Sequence, residues 1–79
     1  MMVNVVLYTR QGCHLCEEAL AVLEQHGLRP RLVDIDADSE LRERFNECVP
    51  VVEIDGRERF RGRVNELLLQ RLINSQFGG

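Results

Sequence analysis

The sequence has no tryptophan, no internal repeat, no low-complexity stretch and no run approaching the ~18 apolar residues that span a bilayer. These absences exclude a membrane-spanning helix and a repeat array. Met1 to Tyr8 is mostly apolar, but it is too short for a secretory h-region and lacks a basic flank and a small-residue cleavage site. The expectation is a cytoplasmic chain, off the membrane, in a compartment that keeps thiols reduced. A clustered basic surface is also missing: net charge is −3, so no nucleic-acid partner is expected. Arg57, Arg59, Arg61 and Arg63 alternate, which places them on one face of an extended segment and reads as a solvated strand edge. The three cysteines are an odd number, which argues against a static disulfide framework.

With 79 residues, the chain reads as a single domain spanning residues 1–79. A domain of this size buries only about 60% of the surface its unfolded chain exposes. It has room for one sheet with a few helices and none for a deep enclosed cavity, so any active site lies near the surface. The composition, 44% hydrophobic and 29% charged, is that of an ordinary globular protein.

Hydrophobic patterning supplies the elements. Val3 to Thr9 is a β-branched run and reads as a buried strand. Gln11-Gly12 breaks it. Leu15, Ala19, Val22 and Leu23 then recur at helical spacing, predicting a helix over Cys13 to His26 that Gly27 terminates. Arg31 to Ile35 reads as a second strand. Asp38 is placed to cap a short helix carrying Leu41 and Phe45 four residues apart. Val51 to Ile54 and Arg57 to Phe60 flank Asp55-Gly56, a strong two-residue hairpin signal. Val64, Leu68 and Leu72, with Leu69 and Ile73, mark a C-terminal helix, and Asn74 to Gly79 is expected to fray. The order is β-α-β-α-β-β-α. Its opening strand, helix and strand imply a parallel pair with a right-handed crossover. The hairpin adds two antiparallel strands to a four-stranded mixed sheet flanked by helices.

Cys13-His14-Leu15-Cys16 falls where the first strand gives way to the first helix. A CxxC beside a βαβ pattern points to a redox pair. The thiolate is the nucleophile in disulfide exchange, and a free thiol ionises only near pH 8.5. Helix N-termini favour negative charge through their unpaired N–H groups and macrodipole. Cys13 therefore reads as the exposed, acidic thiol. Cys16, one turn deeper, is close enough to attack a mixed disulfide on Cys13. A zinc half-site is the competing chemistry. Structural zinc needs four ligands, and only Cys48, His14 and His26 remain as candidates. His26 lies about three turns along the helix from Cys16, and no second CxxC or His pair exists, so no metal is expected. A fold that keeps its thiols idle is a further alternative. Val49-Pro50 precedes the hairpin. A cis bond there would present the Val49 backbone to an extended substrate as an added strand, although such bonds are only about 5–6% of X–Pro linkages.

Together these segments resemble the glutaredoxins, more closely the small bacterial glutaredoxin-like proteins of the thioredoxin superfamily. The resemblance is carried by residues 7–16 through the CxxC, Val33-Asp34-Ile35-Asp36, Val49-Pro50-Val51 and Phe60-Arg61-Gly62. It implies a glutaredoxin-type α/β fold and a thiol–disulfide oxidoreductase in which Cys13 attacks and Cys16 resolves. Pro50 would be a cis-proline facing the thiols. Arg10 stands where glutaredoxins carry a lysine that meets a glutathione carboxylate, and Gly62 falls in the glycine turn that contacts the γ-glutamyl end. Arg42 or Arg44 is the candidate for the glycyl carboxylate. No tightly bound cofactor is implied; glutathione would serve as reductant or co-substrate. The partners would be disulfide-bearing proteins, glutathione or a reductase, and the chain would act as a monomer.

Several residues depart from the family pattern. His14 and Leu15 replace the usual proline and tyrosine, and a protonated His14 would help hold a Cys13 thiolate. Val64-Asn65 replaces the aspartates of glutathione-using members. Cys48 replaces the usual threonine before Val-Pro, as a small buried residue or as an alternative partner for Cys13. Without a tryptophan before Cys13, the chain is not a thioredoxin in the narrow sense. A glutathione-dependent [2Fe–2S] module and a thioredoxin-fold adaptor are the alternative functions.

Overall fold

The structure is a computed structural model that describes residues 4–45 and 49–77. Its elements are β1 (Val5–Thr9), α1 (His14–Gln25), β2 (Arg31–Asp34), a 3₁₀ turn (Ile35–Ala37), α2 (Ser39–Phe45), β3 (Val51–Ile54), β4 (Arg57–Arg61) and α3 (Glu66–Phe77). The sheet order is β2-β1-β3-β4. β1 runs parallel to β2, with Leu7 beside Leu32 and Thr9 beside Asp34. It runs antiparallel to β3, with Leu7 beside Val52 and Tyr8 beside Val51. The result is the mixed α/β sheet expected from the strand order.

Strand alternation divides the core. Val5, Leu7, Val52, Ile54 and Phe60 face α1 and α3, where Ala19, Leu23, Leu28, Val64 and Leu69 complete one buried cluster. Val51 and half-buried Tyr8 face the other way, onto Ile35, Phe45 and Leu41. Tyr8 and Phe45 are in tilted ring contact at 4.8 Å. Burial and a hydrogen bond from the Tyr8 hydroxyl to Glu53 Oε1 (3.0 Å) hold the phenol above its ordinary ionisation range.

Helix ends follow the local chemistry. Gly27 adopts φ +80°, and its N–H and that of Leu28 donate to Glu24 and Leu23 carbonyls at 3.0 Å each. This closes the last turn of α1 as a Schellman motif, with Leu28 and Leu23 meeting in the core. Asp38 Oδ1 accepts from Glu40 N–H at 2.9 Å and so begins α2. Asp55 (φ 52°) and Gly56 (φ 83°) form the hairpin turn with both central residues left-handed.

Several expectations change. Ile35 leaves the strand for the 3₁₀ turn, where Asp34 accepts from Asp36 N–H at 2.9 Å. α3 begins at Glu66, so buried Val64 packs from the preceding turn. Leu69, not Leu68, is that helix's fully buried leucine, and the helix runs through Asn74 to Phe77. The arginines do not share one face, because an irregularity between Val52 and Glu53 puts Glu58 opposite Glu53 and Phe60 opposite Val52. Arg59 is the extra residue, and alternation resets across it. Arg61 instead pairs with Glu58, its Nε donating at 2.9 Å.

Candidate redox site

β1 delivers the chain to the C-terminal end of the sheet, and a tight turn through Gln11-Gly12 redirects it into α1. Gly12 takes φ +75°, a left-handed conformation that costs a residue with a Cβ about 1–2 kcal/mol. Cys13, next in the chain, is extended (φ −85°, ψ 105°) and is the N-cap of α1. Its N–H donates to the Arg10 carbonyl (3.3 Å), and its own carbonyl accepts from Glu17 N–H (3.2 Å). The Cys13 Sγ accepts from the Cys16 backbone N–H at 3.1 Å, filling the place of a capping side-chain oxygen.

Cys13 and Cys16 are joined as a disulfide, with Cα atoms 5.2 Å apart. The two sulfurs are not equivalent. Cys16 is only 3% exposed, while Cys13 is half-buried and so the more accessible. Of the two sulfurs, that of Cys13 is the one a molecule from solvent can reach more readily.

Val49–Pro50 is a cis peptide bond. The β1–β3 register, carried one step beyond Tyr8 and Val51, brings Pro50 across from Thr9, at the end of the sheet that leads into Cys13. The Gly62 N–H donates to the Pro50 carbonyl at 2.7 Å and anchors that bend. Gly62 has φ +85°, which explains the need for glycine there. Val49 and Pro50 pack inward, Pro50 among the fully buried side chains.

Arg10 is not an open cation. Its Nε and Nη2 donate to both oxygens of Asp36 at 3.0 and 2.8 Å. That bidentate pair pulls the Asp36 carboxyl below the usual carboxylate range, with the Arg42 charge adding to it. The same bond pushes the Arg10 guanidinium further up. Arg42 and Arg44 separate clearly: Arg42 is felt at Asp36, whereas Arg44 stacks 4.8 Å over the Phe45 ring. His14 projects into solvent with its side chain 87% exposed, its Nδ1 3.8 Å from a Glu17 carboxylate oxygen. Cys48 lies outside the described residues.

Two open grooves flank α1. One, of about 460 Å³, is lined by Arg10, Gly12 and Cys13 ahead of α1, by Cys16, Glu17 and Leu20 of α1, and by Leu32 and Asp34 of β2. The other, of about 520 Å³, runs from Leu15 along Ala19 and Val22 to Val64, in the turn before α3. Val49, Pro50 and Gly62 border neither. Among the described residues, no three His, Cys, Asp or Glu side chains converge as a metal site, and no helix is long and apolar enough to cross a membrane.

Sequence reasoning did not assign a role to Asp36 or Leu32. A signal for Asp36 was present: Arg10 and Asp36 each follow the end of one of two adjacent parallel strands. Leu32 gave none; it is 54% exposed on the edge strand β2.

A four-stranded mixed sheet, α1 and α3 on one face, α2 on the other and a Cys-x-x-Cys at the start of α1 define a thioredoxin-like protein. Within that class, the family model for the Glutaredoxin-like domain (DUF836) matches residues 4–74, and the chain belongs to that family. A structural-genomics target protein, XcR50 from X. campestris, is similar at 30% identity and TM-score 0.79, over 91% of this chain and 97% of that one. Protein Ne2328 from Nitrosomonas europaea is similar at 26% identity and TM-score 0.80, over 91% and 92% of the two chains. The N-acetyl-S-hydroxy-L-cysteine reductase of Bacillus subtilis (strain 168) is 29% identical over 76 residues, 90% of this chain and 81% of that protein. At 24% identity and TM-score 0.65, the glutaredoxin of Archaeoglobus fulgidus shares the fold, over 91% of this chain and 87% of its own.

Proposed function

We propose that this protein is a cytoplasmic thiol–disulfide oxidoreductase that reduces disulfides of proteins or small thiols through Cys13 and Cys16. The observation that carries the reading is the cap: Cys13 Sγ accepts from Cys16 N–H at the head of α1 and forms a disulfide with Cys16. A sulfur at that position is stabilised as the thiolate by a charge-assisted hydrogen bond and by the helix N-terminus.

In the reaction, the Cys13 thiolate attacks one sulfur of R–S–S–R′. The S–S bond breaks, R′–S⁻ leaves and takes a proton, and Cys13–S–S–R remains. Cys16, deprotonated as it attacks, displaces R–S⁻ and forms the Cys13–Cys16 disulfide. Two electrons have passed from the cysteine pair to the substrate, and the two thiol protons end on R–SH and R′–SH. Glutathione or a reductase returns the protein to the dithiol. No tightly bound cofactor takes part, and a monomer is sufficient. The chemistry at sulfur accommodates the relative's substrate type: attack on R–S–OH releases water and gives the same mixed disulfide.

Buried Cys16 makes the test specific. A Cys16→Ser variant is expected to accumulate a stoichiometric Cys13 mixed disulfide with a protein or small-molecule disulfide, seen by mass under acid quench. Multiple turnover of a protein disulfide by that variant would contradict the dithiol scheme.

A further inference from the structure

We infer that Asp36 is a specificity-determining residue, which closes Arg10 to carboxylate-bearing disulfides and leaves the site to neutral and cationic ones. The inference rests on the oxidoreductase reading and concerns which substrates that chemistry accepts.

The groove beside the disulfide carries its charges asymmetrically. Among the described residues along its walls, Arg10 is the only cation; Glu17 and Asp34 also line it. A disulfide engaged with Cys13 brings its second functional group within a few ångströms of the attacked sulfur. If that group is a carboxylate, Arg10 is the residue able to receive it. Arg10 lies three positions before Cys13 and is tied to it through the backbone bond from Cys13 N–H. Planar guanidinium groups recognise carboxylates by two parallel hydrogen bonds. Asp36 already makes both.

Asp36 is itself held in place. Its backbone N–H donates to the Asp34 side chain, which fixes the 3₁₀ turn at the end of β2. The competitor is therefore intramolecular and preorganised, whereas a substrate carboxylate must displace it and also pass the Glu17 and Asp34 charges. A neutral or cationic group on the same disulfide meets no such competition. N-Acetyl-S-hydroxy-L-cysteine carries a carboxylate, so on this account it is not the preferred substrate of this chain.

The test uses three disulfides with the same two-carbon spacer: 3,3′-dithiodipropionate, bis(2-hydroxyethyl) disulfide and cystamine. Pre-reduced full-length protein is mixed with each at low ionic strength. The rate of Cys13–Cys16 disulfide formation is then followed by alkylation and mass. The wild type is expected to react slowest with the anionic probe. Asp36→Asn keeps the side-chain shape and removes the charge. It should raise the anionic-to-neutral rate ratio about three- to tenfold, the range of a single exposed charge pair or charge-assisted bond. The gain should vanish in the Arg10→Gln/Asp36→Asn double variant, an outcome that a merely structural role for Asp36 would not produce. A gain below threefold, or one that survives in the double variant, overturns the inference. If wild type fails to react even with the neutral disulfide, the oxidoreductase reading itself falls, and this inference with it.

Discussion

Reducing the Cys13–Cys16 disulfide should change the stability of the fold by an amount that depends on pH: less than a structural cross-link of that size would at alkaline pH, and as much at acid pH. The bond closes a loop with a sequence separation of 3, for which loop entropy stabilises the oxidised form by about 2 kcal/mol. In the reduced protein, Cys13 remains the N-cap of α1. Its thiolate, receiving the Cys16 N–H and facing the helix N-terminus, stabilises the fold by about 1–2 kcal/mol. The folded thiol thus ionises below the ~8.5 of a free cysteine. Its contribution is complete above that unfolded value and is lost as pH falls through the folded one. At pH 9 the oxidised form should lead by less than about 1 kcal/mol, and at pH 5.5 by about 2 kcal/mol, once the opposing thiolate contribution has gone. Urea unfolding of both forms, with excess phosphine reductant for one, reads the gap directly. With a slope near ~1 kcal/mol/M for so small a chain, each kcal/mol moves the midpoint by about 1 M. A gap that is the same at both pH values, or that exceeds about 3 kcal/mol at pH 9, would mean that the disulfide is an inert staple.

Two further outcomes concern the scaffold. Leu23 is wholly buried where α1 meets the sheet, so Leu23→Ala should cost about 3–4 kcal/mol as transfer plus cavity terms, measured by urea unfolding; a loss under about 1.5 kcal/mol would show that the site collapses around the missing atoms. Tyr8 is held protonated above the ordinary tyrosine range by burial and by Glu53, so its contribution is complete below the unfolded value and is lost as pH rises through the folded one. Unfolding midpoints from pH 9 to 11 should therefore fall more steeply for wild type than for Tyr8→Phe, and parallel curves would refute the linkage.

The order of elements, the hairpin and the position of the CxxC were legible because each rests on local chemistry. Asp55-Gly56 has one favoured turn, which pairs the segments 51–54 and 57–60 as antiparallel neighbours. Gly27 marks the end of α1, where its left-handed backbone is needed. What was not legible depends on long-range geometry. The residue that disrupts the β3–β4 ladder is invisible in the even spacing of Arg57, Arg59, Arg61 and Arg63. The end of strand β2 before Ile35 is decided by the Asp34 side chain capping a turn, a competition that periodicity does not report. At the site, Cys13 and Cys16 could be read from spacing. The parallel pairing of β1 with β2 was expected and puts Arg10 and Asp36 at neighbouring strand ends, but the bidentate bond across 26 residues of sequence is a matter of side-chain geometry that spacing does not report.

The most direct test of the central claim is the rate at which iodoacetamide alkylates Cys13 and Cys16 in the reduced protein, followed site by site from pH 4 to 10. The account predicts that Cys13 reacts with a midpoint well below pH 8, as its cap position favours the thiolate, while buried Cys16 lags at every pH. If both thiols instead titrate together near ~8.5, as unassisted cysteines do, the head of α1 does not activate Cys13 and the oxidoreductase assignment is wrong.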